Sequence, residues 1–386
     1  MRRVLYEPDH ETYRESVRAF LHKEVVPNYA EWERAGIVPR SLFTTAADLG
    51  MFAAVPVEYG GAGVEDFRYN AVVLEEAADA AVAGAIAGPS LQSDIVLPYL
   101  LKLTDDEQRR RWLPGVAAGT TITAVAMTEP GTGSDLAGIR TTAVRDGDHY
   151  VVDGAKTFIS NGINADLVVA AVRTGEHPHR GLSLLVIERG MPGFARGRNL
   201  DKAGNHAQDT AELFFDGVRV PVANRLGAEG AGFAGLAGNL VRERVAIAVS
   251  AVAQASAALD WTVDYVRQRK VFGAPIGALQ NTRFRLAELA TEVELARHFV
   301  DRCVLELNAG ALGAVDAAKA KWWTTEMLGR VVDACVQLHG GYGYMLEYPI
   351  ARAFLDARIS RIYGGSTEIM KEIIGRSLDL AGAEPR

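Results

Sequence analysis

The sequence predicts an α+β protein, mostly α, with an N-terminal helical domain, a central antiparallel β-barrel or sandwich, and a C-terminal four-helix bundle. Apolar residues recur at helical spacing until about Thr121, alternate with period two as far as Leu226, and return to helical spacing from Gly230. The β-rich runs of the middle follow one another without intervening helices, which points away from a parallel sheet. The apolar stretches after Gly230 are long enough for a bundle with short connections. The domains read as 1–119, 120–228 and 229–386.

In the first domain, Glu11–Val26 places Tyr13, Val17, Phe20, Leu21 and Val25 on one helical face, and Pro27 is expected to stop it. Ser41–Gly50 reads as a short helix with a serine cap and a glycine exit. Phe67–Ala87 reads as one alanine-rich helix ending at Gly88-Pro89, and Asp105–Trp112 as a helix capped by Thr104. In the middle, Tyr150–Ile159 contains an Asp153-Gly154 pair of the kind found in tight hairpins. Ala165–Val172, Leu182–Glu188 and Ala211–Phe215 are further strands bounded by turn residues. After Gly230, Phe233–Arg269, Gln280–Asn308 and Ala314–Leu338 read as long helices. A last helix, capped by Ser366-Thr367, runs to about Gly375.

Composition excludes several classes. A net charge of −7 without basic blocks argues against nucleic acid as a partner. The two cysteines, Cys303 and Cys335, give neither a disulfide framework nor a zinc spacing, and no metal is expected. The apolar run Val245–Leu259 is interrupted by Ser250, Gln254 and Ser256 and reads as a buried helix, so no membrane span is expected. The N-terminus lacks an apolar signal core, so a cytoplasmic protein is expected.

Ala124–Asp135 joins the first helical domain to the strands, and its Pro130, Gly131 and Gly133 force a turn. Its free N–H groups suit a phosphate or ring, and they equally suit an ordinary domain connector. Gly131-x-Gly133 lacks the third glycine and the βαβ setting of a dinucleotide fold, and no P-loop is present.

Five motifs decide between those readings: Ala126-Met-Thr-Glu-Pro-Gly-Thr-Gly-Ser-Asp135, Gly154-Ala-Lys-Thr-Phe-Ile-Ser-Asn-Gly162, Arg269-Lys-Val-Phe-Gly273, Gln337-Leu-His-Gly-Gly341 and Ile362-Tyr-Gly-Gly-Ser-Thr-Glu368. In these motifs, and over essentially its whole length, the chain resembles the acyl-CoA dehydrogenase family. Residues Lys321–Arg376 look most like its long-chain branch. The resemblance implies FAD, an acyl-CoA substrate, a homotetramer and an electron-transfer flavoprotein as electron acceptor. It places Met127, Thr128, Phe158 and Ser160 against the flavin ring, with Phe158 where several relatives carry Trp. Ser134 falls between flavin phosphate and substrate. Arg269, Phe272 and Gln280 are expected from a neighbouring subunit at the pyrophosphate and adenosine end. Gln337, Gly340 and Gly341 are expected there too, and Ser366 and Glu368 approach from the last helix. Arg244, Gly364 and Gly365 fall at the substrate.

In many relatives the catalytic carboxylate occupies the position of Gly364, which has no acid. Isovaleryl- and long-chain-type relatives carry it on a bundle helix instead, at the position of Glu243. Taken alone, Arg242-Glu243-Arg244 reads as a solvated charged turn. Glu243 nevertheless shares a helical face with Leu240 and Ile247, which sets its carboxylate against apolar surface and suits a base. The implied reaction removes the α-proton to Glu243 and the β-hydrogen as hydride to flavin N5, giving a trans-2-enoyl-CoA. The Gly364 N–H helps polarise the thioester carbonyl. The alternatives are an oxygen-using acyl-CoA oxidase, a branched- or short-chain dehydrogenase, and a catalytically silent member acting as a scaffold. His339 reads as a packing or flavin-neighbour residue.

Overall fold

In the computed structural model, which describes residues 3–380, the first helical part is a series of short segments. Helix α1 (Pro8–Phe20) runs on through a π-helical turn, Leu21–Val25. Pro27 does not end the helical course as expected. It sits in a 3-10 turn, Val26–Asn28, where a missing N–H is tolerated, and α2 (Tyr29–Ala35) follows until Gly36 turns left-handed at φ 73°. Helix α3 (Ser41–Asp48) has Arg40 at its cap position, so Ser41 is its first residue and not its cap.

The single helix expected over Phe67–Ala87 is two. Helix α4 (Phe67–Asp79), capped by Asp66, and α5 (Ala83–Ser90) are separated by Ala81 at φ 57°. Pro89 does not end α5. The course continues through a π-helical turn, Leu91–Val96, into α6 (Leu97–Leu103). Such turns absorb irregularity without breaking a helix and recur at functional sites. Helix α7 (Asp106–Ala117) is capped by Asp105 and not Thr104: Asp105 Oδ1 accepts from the Gln108 backbone N–H at 2.9 Å, and Gln108 Oε1 accepts in return at 3.0 Å.

The middle strands are β1 (Thr123–Ala126), β2 (Thr142–Asp146), β3 (His149–Ser160), β4 (Leu167–Arg173), β5 (Leu182–Glu188), β6 (Phe194–Asn199), β7 (Thr210–Pro221) and β8 (Arg225–Leu226). They form a sheet in the order β6-β7-β3-β2-β4-β5-β8, with β1 paired to β4. Most pairings are antiparallel, but β1 runs parallel to β4 and β2 meets β4 in parallel at Thr142–Arg173, so the sheet is mixed. The reason is the exit of β1 into the glycine-rich loop, which carries the chain away before a hairpin can form. Asp153-Gly154 is a bulge within β3 and not a hairpin turn; the tight turn is at Gly147 (φ 61°), between β2 and β3. Strand β4 is buried on both faces. Leu167, Val169 and Ala171 pack with Tyr99, Leu100 and Trp112, whereas Val168, Ala170 and Val172 pack with Tyr150 and Leu213.

The last part contains α8 (Gly232–Gln268), a hairpin of β9 (Lys270–Val271) and β10 (Ala274–Pro275), α9 (Gln280–Asn308), α10 (Ala314–His339), α11 (Pro349–Ala357) and α12 (Thr367–Ser377). Three long helices form the bundle, and its remaining side is built from the short α11 and α12. By length and composition α8 could cross a membrane. Its apolar face instead fills the protein core: Val245, Ala248, Val252 and Ala255 are buried with Phe67 and Ala71 of α4 and Val331 and Cys335 of α10. The first and last helical parts thus share a core, and α8 reaches the Leu91–Val96 turn and α6.

Candidate active site

Where α8 passes α6 it carries a carboxylate into the interior. Glu243 is 3 % exposed, and its Oε1 accepts a hydrogen bond from the Tyr99 hydroxyl at 3.0 Å. Burial raises its pKa to about 7, opposed by the Tyr99 hydrogen bond and the nearby Arg244 charge. Arg244 is itself buried, and its Nε has no partner among the described residues. Arg242 turns elsewhere: its guanidinium lies 4.8 Å over the Phe67 ring and interacts with Asp94.

The turn before α12 closes over the same place. Gly364 and Gly365 are left-handed, at φ 65° and 97°. A Cβ on Gly364 would overlap Ile247 Cδ1, and Ile247 stands one helical turn beyond Glu243. A Cβ on Gly365 would lie 3.9 Å from Arg244 Nη2. Lys321, fully buried on α10, donates from Nζ to the Gly365 carbonyl at 2.6 Å. Burial, with the Arg244 charge adding to it, lowers the Lys321 pKa to about 8. Ser366 caps α12 by accepting from the Ile369 N–H at 3.5 Å, and Glu368 is exposed in its first turn.

A second group forms where β1 ends beside β3. Thr128 O accepts from the Thr157 N–H at 3.0 Å, and Lys156 Nζ donates to Met127 O at 3.1 Å and to Glu129 Oε1 at 2.8 Å. Glu129 also accepts from the backbone N–H groups of Arg140, at 2.7 Å, and Thr141, at 2.9 Å. Burial lowers the Lys156 pKa to about 8 against the pull of Glu129. For Glu129, burial acts upward, but the hydrogen bonds and charge it receives leave its pKa lowered. Beyond this pinned pair, a register shift in β3 between Lys156 and Ile159 accompanies Phe158 at φ 59°, a residue 69 % exposed. Met127, Thr128 and Ser160 are half-buried around it, and Ser134 stays exposed on the glycine-rich loop. An aromatic residue held left-handed within a β-strand is a strained conformation.

A third group lies at the far end of α10. Arg269, Gln337, Gly340 and Gly341 line one cleft of about 590 Å³ with Tyr265, His339 and Tyr342. Arg269 sits 5.4 Å over the Tyr342 ring, and no atom lies within 4 Å of where a Cβ on Gly340 or Gly341 would stand. A guanidinium beside open backbone suits a phosphate. His339 is buried, stacked on Tyr265 at 4.2 Å and bonded through Nδ1 to Cys335 O. Phe272 and Gln280 do not join this cleft; Phe272 (φ 49°) projects fully exposed from the β9–β10 turn.

Models of the acyl-CoA dehydrogenase N-terminal, middle and C-terminal domains match residues 7–120, 124–218 and 230–378. The chain belongs to the acyl-CoA dehydrogenase family. It is 44 % identical over 380 residues to a mitochondrial long-chain specific acyl-CoA dehydrogenase of Sus scrofa, covering 97 % of this chain and 88 % of that one. The crystal structure of an acyl-CoA dehydrogenase from Geobacillus kaustophilus matches with a TM-score of 0.95 at 49 % identity, covering 97 % of this chain and 99 % of that one. A glutaryl-CoA dehydrogenase from Mycobacterium smegmatis in complex with FADH2 matches with a TM-score of 0.91 at 27 % identity, covering 99 % and 96 %. This acyl-CoA dehydrogenase family member is therefore an oxidoreductase acting on CH–CH groups. Sequence reasoning missed Tyr99, Lys321 and the Lys156–Glu129 pair. Only Lys156 left a local trace, at an inward position of an alternating strand where a lysine needs an acid partner.

Proposed function

We propose that the protein dehydrogenates a medium- or long-chain fatty acyl-CoA to its trans-2-enoyl-CoA, with Glu243 as the base. The observation that carries the proposal is a buried carboxylate, poised near neutrality, on the stretch of α8 whose Arg244 and Ile247 meet the Gly364–Gly365 turn. Glu243 removes the α-proton of the thioester. The Gly364 N–H is the donor for the carbonyl oxygen on which charge develops, and Lys321 holds that turn in place through Gly365 O. Arg244 and Gly365, which lie close together, are assigned to the substrate.

FAD, when bound, supplies the acceptor for the β-hydride. The residues present fit it. Phe158 offers an exposed aromatic face beside Met127, Thr128 and Ser160, and the Arg269 cleft offers phosphate-binding groups. Ser134, Ser366 and Glu368 are assigned to its edges. The full exposure of Phe272 supports contributions from Phe272 and Gln280 to a neighbouring subunit, and the family resemblance implies that the assembly is a homotetramer. An electron-transfer flavoprotein as acceptor and a cytoplasmic location complete the reading.

The test is anaerobic bleaching of the purified yellow protein by a panel of acyl-CoAs, with the enoyl product quantified. Stoichiometric hydrogen peroxide in air would instead indicate an oxidase. Because the base works ionised, kcat/KM should fall as pH drops through a midpoint near 7, measured on the free enzyme. A further expectation concerns the two carboxylate positions. In the Glu243→Gln background, Gly364→Glu should restore part of the turnover, and more when Ile247→Val removes the Cδ1 that the new side chain meets. Equal turnover with and without Ile247→Val would show that this methyl does not obstruct the second position.

A further inference from the structure

We propose that Tyr99 is the positioning residue of Glu243, its hydroxyl the donor that fixes the carboxylate's direction and favours its anionic form. The inference rests on Glu243 being the base. Tyr99 (α6), Asn239 and Glu243 (both α8) are all buried, and Asn239 stands one turn before Glu243. The Asn239 amide nitrogen donates to Ile95 O, in the Leu91–Val96 turn, at 3.3 Å, and the same side chain acts on the Tyr99 hydroxyl against the upward push of burial on its pKa. A phenol has one hydrogen. An ionised carboxylate can only accept, so that hydrogen goes to Glu243 Oε1, 3.0 Å away.

The arrangement answers a specific difficulty. A carboxylate buried enough to be basic tends to hold its proton permanently, and a donor aimed at the anion opposes this. The other charged groups nearby are accounted for. Arg244, on the same helix, acts directly on Glu243; Lys321, from α10, is bonded to Gly365 O and lies by Arg244; Arg242 and Asp94 interact with each other. Tyr99 is the group that hydrogen-bonds the carboxylate.

The experiment compares flavin-loaded parent, Tyr99→Phe and Asn239→Ala proteins by infrared titration, with the Glu243 carboxyl band identified by its loss in Glu243→Gln. Tyr99→Phe should move the carboxyl midpoint upward by about one pH unit. The acid limb of acyl-CoA-induced bleaching should move with it, and a smaller rate deficit should persist well above the limb because the carboxylate loses its orienting donor. Asn239→Ala should shift the midpoint the same way by less, and it serves as the deciding variant if Tyr99→Phe does not fold. A midpoint that stays at the parent's value, with bleaching slowed equally at every pH, overturns the proposal and leaves Tyr99 a packing residue. Normal bleaching in Glu243→Gln would instead refute Glu243 as base, a result separable from the infrared shift.

Discussion

Glu243→Gln should fold, bind flavin and lose acyl-CoA-induced bleaching by about 10²-fold or more, the loss typical of removing a positioned general base. The amide is nearly isosteric, and its oxygen can still accept from Tyr99, so geometry is preserved and only proton acceptance is removed. Stability should move in the opposite direction. A carboxyl whose pKa rises from an ordinary 4.5 to about 7 on folding binds more protons in the native state between those pH values. Its contribution is therefore fully favourable below the unfolded value, declines as pH rises, and levels off above about 7. The ionised group then costs about 3 kcal/mol, at 1.36 kcal/mol per pH unit. Urea denaturation of the variant and the parent should diverge in the variant's favour between pH 5 and 7 and run parallel above. A rate near the parent's would remove Glu243 as base; a variant less stable at pH 8 would show that Tyr99 and Arg244 outweigh burial in their effect on the anion.

That carboxylate shows which information is local in the chain. Leu240 and Ile247, three residues before and four after, place Glu243 on a buried face, and the structure buries it. The long helices Gln280–Asn308 and Ala314–His339 are likewise marked by sustained periodicity, and the strand Leu182–Glu188 by a short apolar run bounded by turn residues. The breaks are a different matter. Ala80-Ala81-Val82 contains no strong breaker, yet Ala81 turns left-handed where α5 leaves the axis of α4. Pro27 and Pro89 look like stops, but each lies in helical backbone that continues beyond it. The partner of Glu243 was illegible because Tyr99 lies 144 residues away and no local pattern distinguishes it from a core tyrosine. The direction of β1 was equally hidden, since parallel pairing with β4 depends on where the intervening chain returns.

Lys156→Met should destabilise the protein by about 3–5 kcal/mol, because it leaves a buried carboxylate without its cation. Lys156 is fully buried, and Glu129 is 7 % exposed. The deficit should fall near the lower end, because Glu129 keeps the N–H groups of Arg140 and Thr141. Its pH dependence has a definite sign. A carboxyl with a lowered native pKa stabilises above its unfolded value and loses that stabilisation as pH falls through the native one. Removing the lysine raises that native value, so the difference between variant and parent should shrink as pH falls from neutral toward 4. Glu129→Gln in the Lys156→Met background should recover most of the loss, since the amide oxygen still accepts and no charge remains to be paired. The functional consequence follows from the same contacts. Lys156 Nζ also holds Met127 O, and the adjacent Thr157 N–H holds Thr128 O, so the pair fixes the edge on which Phe158 is displayed. The single variant should therefore retain less flavin through purification than the double variant, measured as the visible-to-ultraviolet absorbance ratio. Full flavin content with unchanged urea stability would show that the loop is held by its backbone alone.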